Sequence, residues 1–344
     1  TQCCPFRIMS GRSAGAINTT ALACYASWFQ LGSKNLEFVW KNLNTSRIYH
    51  GDPYRVYSHI AKGIFGSFQA DYASRPARSL LNNDPLRQLL NEVIDFKRID
   101  NNILKGYLSA VSVTASSYNT GDSISFYQSE EHISPWFRAN RRGEPTQINS
   151  EHLMASAAIP MVFPSINIKR QHFGDGSIHQ LSPLSPAIHL GAERIFIVGV
   201  EQPTEPVYAN ENNPHPPTAS SVAGHLLDSI FSDTLQSDIE RAKRINETIA
   251  LIPEDVRKEK SGLKEIDTLL LNPSHDFNAM AIEYFDELPL SIKILLRSIG
   301  ITNDSESSII SYLLFEKNYC KQLIKLGFED AMEKETSIRG FLSL

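Results

Sequence analysis

Apolar positions open the chain as a short run in PFRIM (5–9), stop at a polar, glycine-containing stretch, and resume at helical spacing in AINTTALACYASWF. That pattern predicts a buried strand, a turn over Gly11–Gly15, and a helix rich in small residues that can lie close to a sheet. Residues 33–106 read as mostly helical and irregular. DPLRQLLNEVIDFKRI is the clearest helix there, with Asp84 as N-cap and Pro85 at the first helical position. KGYLSAVSVTASS (105–117) is rich in Val, Ser and Thr and reads as a strand, and SISFYQS (123–129) alternates like its hairpin or edge neighbour.

NSEHLMASAAIP (149–160) reads as a helix capped by Asn149 or Ser150 and stopped by Pro160. INIKRQHFGDGS follows as a strand-turn region ending in an Asp-Gly turn, and PAIHLGA leads into ERIFIVGV, a late buried strand. Pro, Asn and Glu then crowd residues 201–220, the composition of a surface loop or hinge. HLLDSIFSDTLQSDIERAKRINETI and YLLFEKNYCKQLIKLGFEDAMEKE read as helical on either side of a mixed-charge loop near 254–265. Strands separated by helices, with sharp turns at strand ends, predict an α/β sheet with a helical C-terminal portion.

The 344 residues are enough for a large core, and 42% hydrophobic with 21% charged content is that of an ordinary soluble protein. No run of 18 apolar residues predicts a bilayer-spanning helix. A formal charge of −5 gives no footprint for a nucleic-acid partner, and RANRRG (138–143) reads as an exposed loop rather than a phosphate patch. Cys3, Cys4, Cys24 and Cys320 have neither metal-ligand spacing nor the density of a disulfide scaffold, which favours a reducing compartment.

Gly11, Arg12, Ser13, Ala14 and Gly15 form G-x-S-x-G between an apolar strand and a helix. Small residues on both sides of the serine permit a tight strained turn that presents its hydroxyl, and the Ala14 amide at the helix start can donate to an oxyanion. The residues themselves leave a nucleophile and a purely structural turn both open. Asp175 stands in a Gly-Asp-Gly turn that leaves its carboxylate unobstructed. His172 and His179 are its nearest histidines, and His275 is the only one late enough for the chain order of a Ser/Asp/His triad.

GRSAGAIN, EHLMASAAIPMVFPSI, GDGS, SPAIHLGAERIFIV, SDIERAKRIN and SYLLFEKNYCKQLIKLGFEDA, in that order, resemble the bacterial branch of the patatin-like phospholipases over essentially the whole chain. The resemblance implies a three-layer α/β/α fold and a serine–aspartate dyad without histidine. It gives Ser13 the nucleophile's role and Asp175 that of proton acceptor, with Asp175, Gly176 and Ser177 on the family's Asp-Gly-Gly/Ala motif and Ser177 as a small departure. It implies a fatty-acyl ester substrate, phospholipid or other lipid, with peripheral membrane contact, no metal and no organic cofactor. Residues 1–200 are then the catalytic domain, 201–220 a loop, and 221–344 a helical portion completing or packing on the same domain. YRVYSHIAKGIFGSF (54–68) becomes a candidate acyl groove or lipid-facing surface, with plain core as the alternative.

The family's first strand and Gly-rich oxyanion loop, about 30 to 40 residues ahead of the serine, have no counterpart in the twelve residues before Ser13. The expectation is therefore weak turnover and low solubility for a chain starting at Thr1, relieved by restoring that segment. A small-ester or thioester hydrolase and a catalytically silent interaction protein on the same scaffold are the alternatives. The implied location is cytoplasmic or membrane-peripheral, with secretion left open.

Overall fold

The computed structural model describes residues 4–54, 56, 58, 79–130, 133–200, 234–253, 264–298 and 309–343. Most of 54–68, all of 201–220 and most of the loop near 254–265 lie outside the described residues.

Strand β1 (Ile8–Arg12) pairs in parallel with β2 (Ala110–Ser117), from Ile8 opposite Ala110 to Arg12 opposite Thr114. The other edge of β2 pairs antiparallel with β3 (Ser123–Ser129), the hairpin neighbour that the alternation predicts. A short hairpin, β4 (Trp136–Arg138) and β5 (Arg141–Pro145), extends the sheet, with β5 parallel to β3. On the β1 side, Ser116 and Ser117 at the end of β2 pair with β7 (Gln171–Gly174), itself in a hairpin with β6 (Ile166–Ile168). Lys169 and Arg170 turn that hairpin with φ of 48° and 68°, as a two-residue loop requires.

Two strands thus share one edge of β2. β1 takes its first half, β7 runs the opposite way along its end, and their C-terminal ends meet between Thr114 and Ser116. This register places the serine turn beside the aspartate turn.

Helix α1 (Ala14–Cys24) packs on β1 and β2. Ala16, Thr20 and Ala23, three or four residues apart, form its fully buried face, where small side chains allow close approach. A 3₁₀ turn separates it from α2 (Phe29–Lys41), and α3 (Asp84–Val93), α4 (Lys97–Leu104) and α5 (Ser150–Ser156) complete the near layer. Helix α6 (Ser185–His189) packs on β1 over the opposite face, where the Trp136 ring stacks at 5.0 Å on both Tyr127 and His189. The chain is therefore a mixed α/β protein, its sheet flanked by helices.

Helix α7 (Leu235–Ala250) packs through Leu235, Ile239 and Ala242 on a separate parallel pair, β8 (Arg194–Val198) and β9 (Asp267–Leu271). The C-terminal portion is helical: α8 (Phe277–Glu283), α9 (Leu290–Ser298), α10 (Ile309–Leu313), α11 (Lys317–Glu333) and α12 (Glu335–Leu342). Ile292, Leu296, Ile310, Leu313 and Tyr319 belong to the same hydrophobic core as Val111, Val113 and Leu153.

Several elements depart from the sequence pattern. β1 continues through Gly11 and Arg12, so the turn shrinks to Ser13; the apolar run stops at Met9, but the ladder with β2 does not. The predicted helix over 84–99 is two helices, and Asn83, not Asp84, is the N-cap of the first. RANRRG is not an exposed loop but the end of β4, the two-residue turn and the start of β5, and Asn140 takes the left-handed conformation in that turn (φ 56°). Strand β8 is not buried in the main sheet; of its residues only Ile197 is buried. β9 is a strand that the sequence pattern does not announce, because DTLLL adjoins charged residues and carries no alternation.

Candidate active site

Ser13 occupies the single residue between β1 and α1, with φ 50° and ψ −133°. A non-glycine residue in that region is strained and persists only where its surroundings fix it. Gly11 makes the turn feasible. A Cβ there would lie 2.4 Å from the carbonyl oxygen of Gly15. Gly15 is less constrained, since a Cβ on it would meet nothing within 4 Å.

Asp175 follows β7 directly and is fully buried. The Ser13 hydroxyl donates to Asp175 Oδ2 at 2.6 Å, and the Ser177 amide donates to Oδ1 at 2.9 Å. Gly176 is required where it stands, because a Cβ would fall 2.3 Å from the carbonyl oxygen of Thr114. Burial raises the Asp175 pKa above the usual aspartate value; the hydrogen bonds from Ser13 and Ser177 and the Arg12 guanidinium oppose this without cancelling it. The arrangement is a hydroxyl hydrogen-bonded to a carboxylate whose affinity for a proton is increased.

Among the described residues no histidine ring hydrogen-bonds to either group. His179 engages Ser116 Oγ through its backbone amide, while the exposed His275 and the Ser274 hydroxyl bond to each other. No group of three His, Cys, Asp or Glu side chains among the described residues is arranged to hold a metal. The amides of Ala14 and Gly15, at the start of α1, donate to no protein acceptor among the described residues, and the first backbone bond of the helix is Ala16 N–H to Ser13 C=O. They are the site's free donors.

Ser13 and Ala14 also line a cavity of about 420 Å³. Its wall follows Ile17 and Ala21 along a second face of α1 to Tyr25 at the helix's C-cap, then Leu36 and Val39 of α2, Leu86 and Leu90 of α3, and Phe163. Tyr312 of α10 and Phe315 close it from the C-terminal portion. The sequence signalled none of these wall residues, since they are brought together from opposite ends of the chain.

Helix α5 is the other element that the motifs alone left without a role. Asn149 caps it, accepting from the Glu151 amide at 3.0 Å, while His152 Nδ1 accepts the Asn149 N–H at 3.2 Å to complete a capping box. Burial, with Lys169 adding to it, lowers the His152 pKa to about 4, so the folded protein holds the ring neutral. The unfolded chain binds this proton near the ordinary histidine value of about 6.5. The stability associated with neutral His152 is complete above that value and falls away as the pH drops toward 4. Melting temperature should decline across this window in the wild type and decline less in His152→Gln, whose amide oxygen can make the same cap. Parallel declines in the two proteins would refute this assignment.

No helix among the described residues is long and apolar enough to cross a membrane. No curated protein matches the chain. A profile of the patatin-like phospholipase family matches residues 2–188, a span that contains both Ser13 and Asp175. That match covers more than half of the sequence, and the chain belongs to the patatin-like phospholipase family.

Proposed function

We propose that the protein is a lipid acyl hydrolase working through an acyl-enzyme on Ser13, with Asp175 as its base. The observation that carries this reading is the 2.6 Å Ser13–Asp175 hydrogen bond on the wall of an apolar cavity. In the reaction, Ser13 Oγ bonds to the ester carbonyl carbon as its proton passes to Asp175. The amides of Ala14 and Gly15 stabilise the oxyanion, an electrostatic contribution on the order of 3 kcal/mol per donor. The carbon–oxygen bond to the alcohol then breaks, and protonated Asp175 gives its proton to the leaving oxygen. Water attacks the acyl group, loses a proton to Asp175 and releases the fatty acid; the proton returns to Ser13 Oγ.

From Ala14 to Tyr25, α1 advances about 16 Å at 1.5 Å per residue, a length suited to a medium or long acyl tail. The cavity therefore favours lipid esters over small esters or thioesters. Because Tyr312 and Phe315 help to close it, the C-terminal helices complete the catalytic unit in this reading. The test is to treat the protein with a fluorophosphonate and locate the adduct by mass spectrometry. Ser13 should carry it, and modification elsewhere with Ser13 untouched overturns the mechanism.

A lipid surface is the proposed source of substrate. Phe38 lines the cavity yet is 69% exposed, and Leu31, seven residues earlier on the same face of α2, is 49% exposed. Trp28, just before the helix, is 63% exposed. Replacing Trp28 and Leu31 together with Asp should lower activity on phospholipid vesicles about tenfold while leaving hydrolysis of a soluble butyrate ester unchanged. Equal losses on both substrates would exclude an interfacial role for these two side chains.

A further inference from the structure

Ser156, the last residue of α5, is fully buried and belongs to neither sequence motif of the site. Its Oγ accepts the Ser13 N–H at 2.9 Å and donates to the Thr114 carbonyl at 2.6 Å. Its backbone carbonyl accepts the Gly176 N–H at 3.1 Å, and two residues later the Ala158 carbonyl accepts the Asp175 N–H at 3.0 Å. The end of α5 is therefore hydrogen-bonded to the serine turn, to β2 and to the aspartate turn. A hydroxyl has one proton, and here it is committed to Thr114, so the oxygen faces Ser13 as an acceptor. A neighbour that fixes one direction of that amide is what a strained turn at φ 50° needs in order to persist.

We propose that Ser156 is the positioning residue of the dyad: its hydroxyl holds the strained Ser13 turn in register with Asp175. The proposal rests on the reading of Ser13 as nucleophile. Ser156 acts through Ser13 and has no part in binding substrate. By occupying the Ser13 amide it also fixes the free donors as those of Ala14 and Gly15. Without the Ser156 hydroxyl, the Ser13 amide and the Thr114 carbonyl lose these partners, and the turn is free to relax away from the aspartate. A displacement of about 1 Å at a reacting centre can cost two powers of ten in rate.

The experiment compares wild type with Ser156→Ala, Ser156→Cys and Ser156→Thr. It reads the rate of fluorophosphonate labelling at Ser13, kcat and KM on a p-nitrophenyl butyrate ester, and the melting temperature. Ser156→Ala should lose about 10- to 100-fold in both labelling rate and kcat with KM within about twofold, and Ser156→Thr should recover most of the loss. Should the alanine variant not fold, Ser156→Cys, which fills the site with a somewhat larger but weakly accepting sulfur, carries the same expectation. A folded alanine or cysteine variant with a lower melting temperature but the wild-type labelling rate and kcat makes Ser156 merely structural and overturns the proposal alone. A wild-type protein that never labels at Ser13 overturns the hydrolase reading and takes this proposal with it.

Discussion

Asp175→Asn is expected to lower kcat/KM on an acyl ester by two or more powers of ten and, at neutral pH, to raise the melting temperature. The first effect follows from the general-base role proposed for it, a contribution of about 10²- to 10⁴-fold. The second follows from burial. With the folded pKa above the unfolded one, the native state holds this proton more tightly, so stability is lost as pH rises through the interval between the two values. At neutral pH the native state bears this cost of a buried charge, and a neutral amide removes it. The amide can still accept from the Ser177 N–H through its oxygen and donate to Ser13 Oγ through its nitrogen. The acid limb of the wild-type kcat/KM profile should accordingly lie above the usual aspartate range. His179→Ala and His275→Ala should each keep most of the activity, since neither ring bonds to the dyad. A single histidine change that abolished turnover in a folded protein, or an active Asp175→Asn, would replace the dyad with another mechanism.

Filling the cavity should divide substrates by chain length. Ala21 lies midway along the α1 face that runs from Ala14 to Tyr25, so Ala21→Phe places a ring across the path of a tail. Displacing about four methylenes at about 0.8 kcal/mol each removes about 3 kcal/mol of binding, roughly two powers of ten. On p-nitrophenyl palmitate kcat/KM should fall by about that factor, and on the butyrate ester it should stay within about twofold. Equal loss on both esters, with melting temperature unchanged, would mean that the tail lies elsewhere.

The sequence made the strand-turn-helix around Ser13 and the turn at Asp175 legible because both depend on local backbone demands that glycine announces. β3 was readable because its apolar and polar positions alternate. The β4–β5 hairpin was not, because RRGEP is polar and pairs at the sheet's rim through its backbone. The extent of β1 was hidden for a related reason. Ser10 continues the strand after the apolar run ends, and its hydroxyl accepts a hydrogen bond from Ser112 on β2 across the ladder at 2.9 Å. A polar side chain sits inside the sheet there because its partner sits opposite. Ser156 lay within a block whose resemblance to the family was plain, but its contacts are with three segments distant in the chain. The cavity is likewise a product of tertiary packing, assembled from α1 to α3, Phe163 and the region of α10.

The meeting of β1 and β7 on one edge of β2 makes the pairing of Ser13 with Asp175 a late event in the life of each new molecule. Ser13 and Asp175 are 162 residues apart, and neither strand orients its partner until both have docked on the same template. Contacts so distant in sequence form slowly, because the intervening chain must be ordered first. During refolding from denaturant, helical circular dichroism should therefore return before Ser13 becomes reactive toward fluorophosphonate. Reactivity at this one hydroxyl is thus a clock for completion of the sheet.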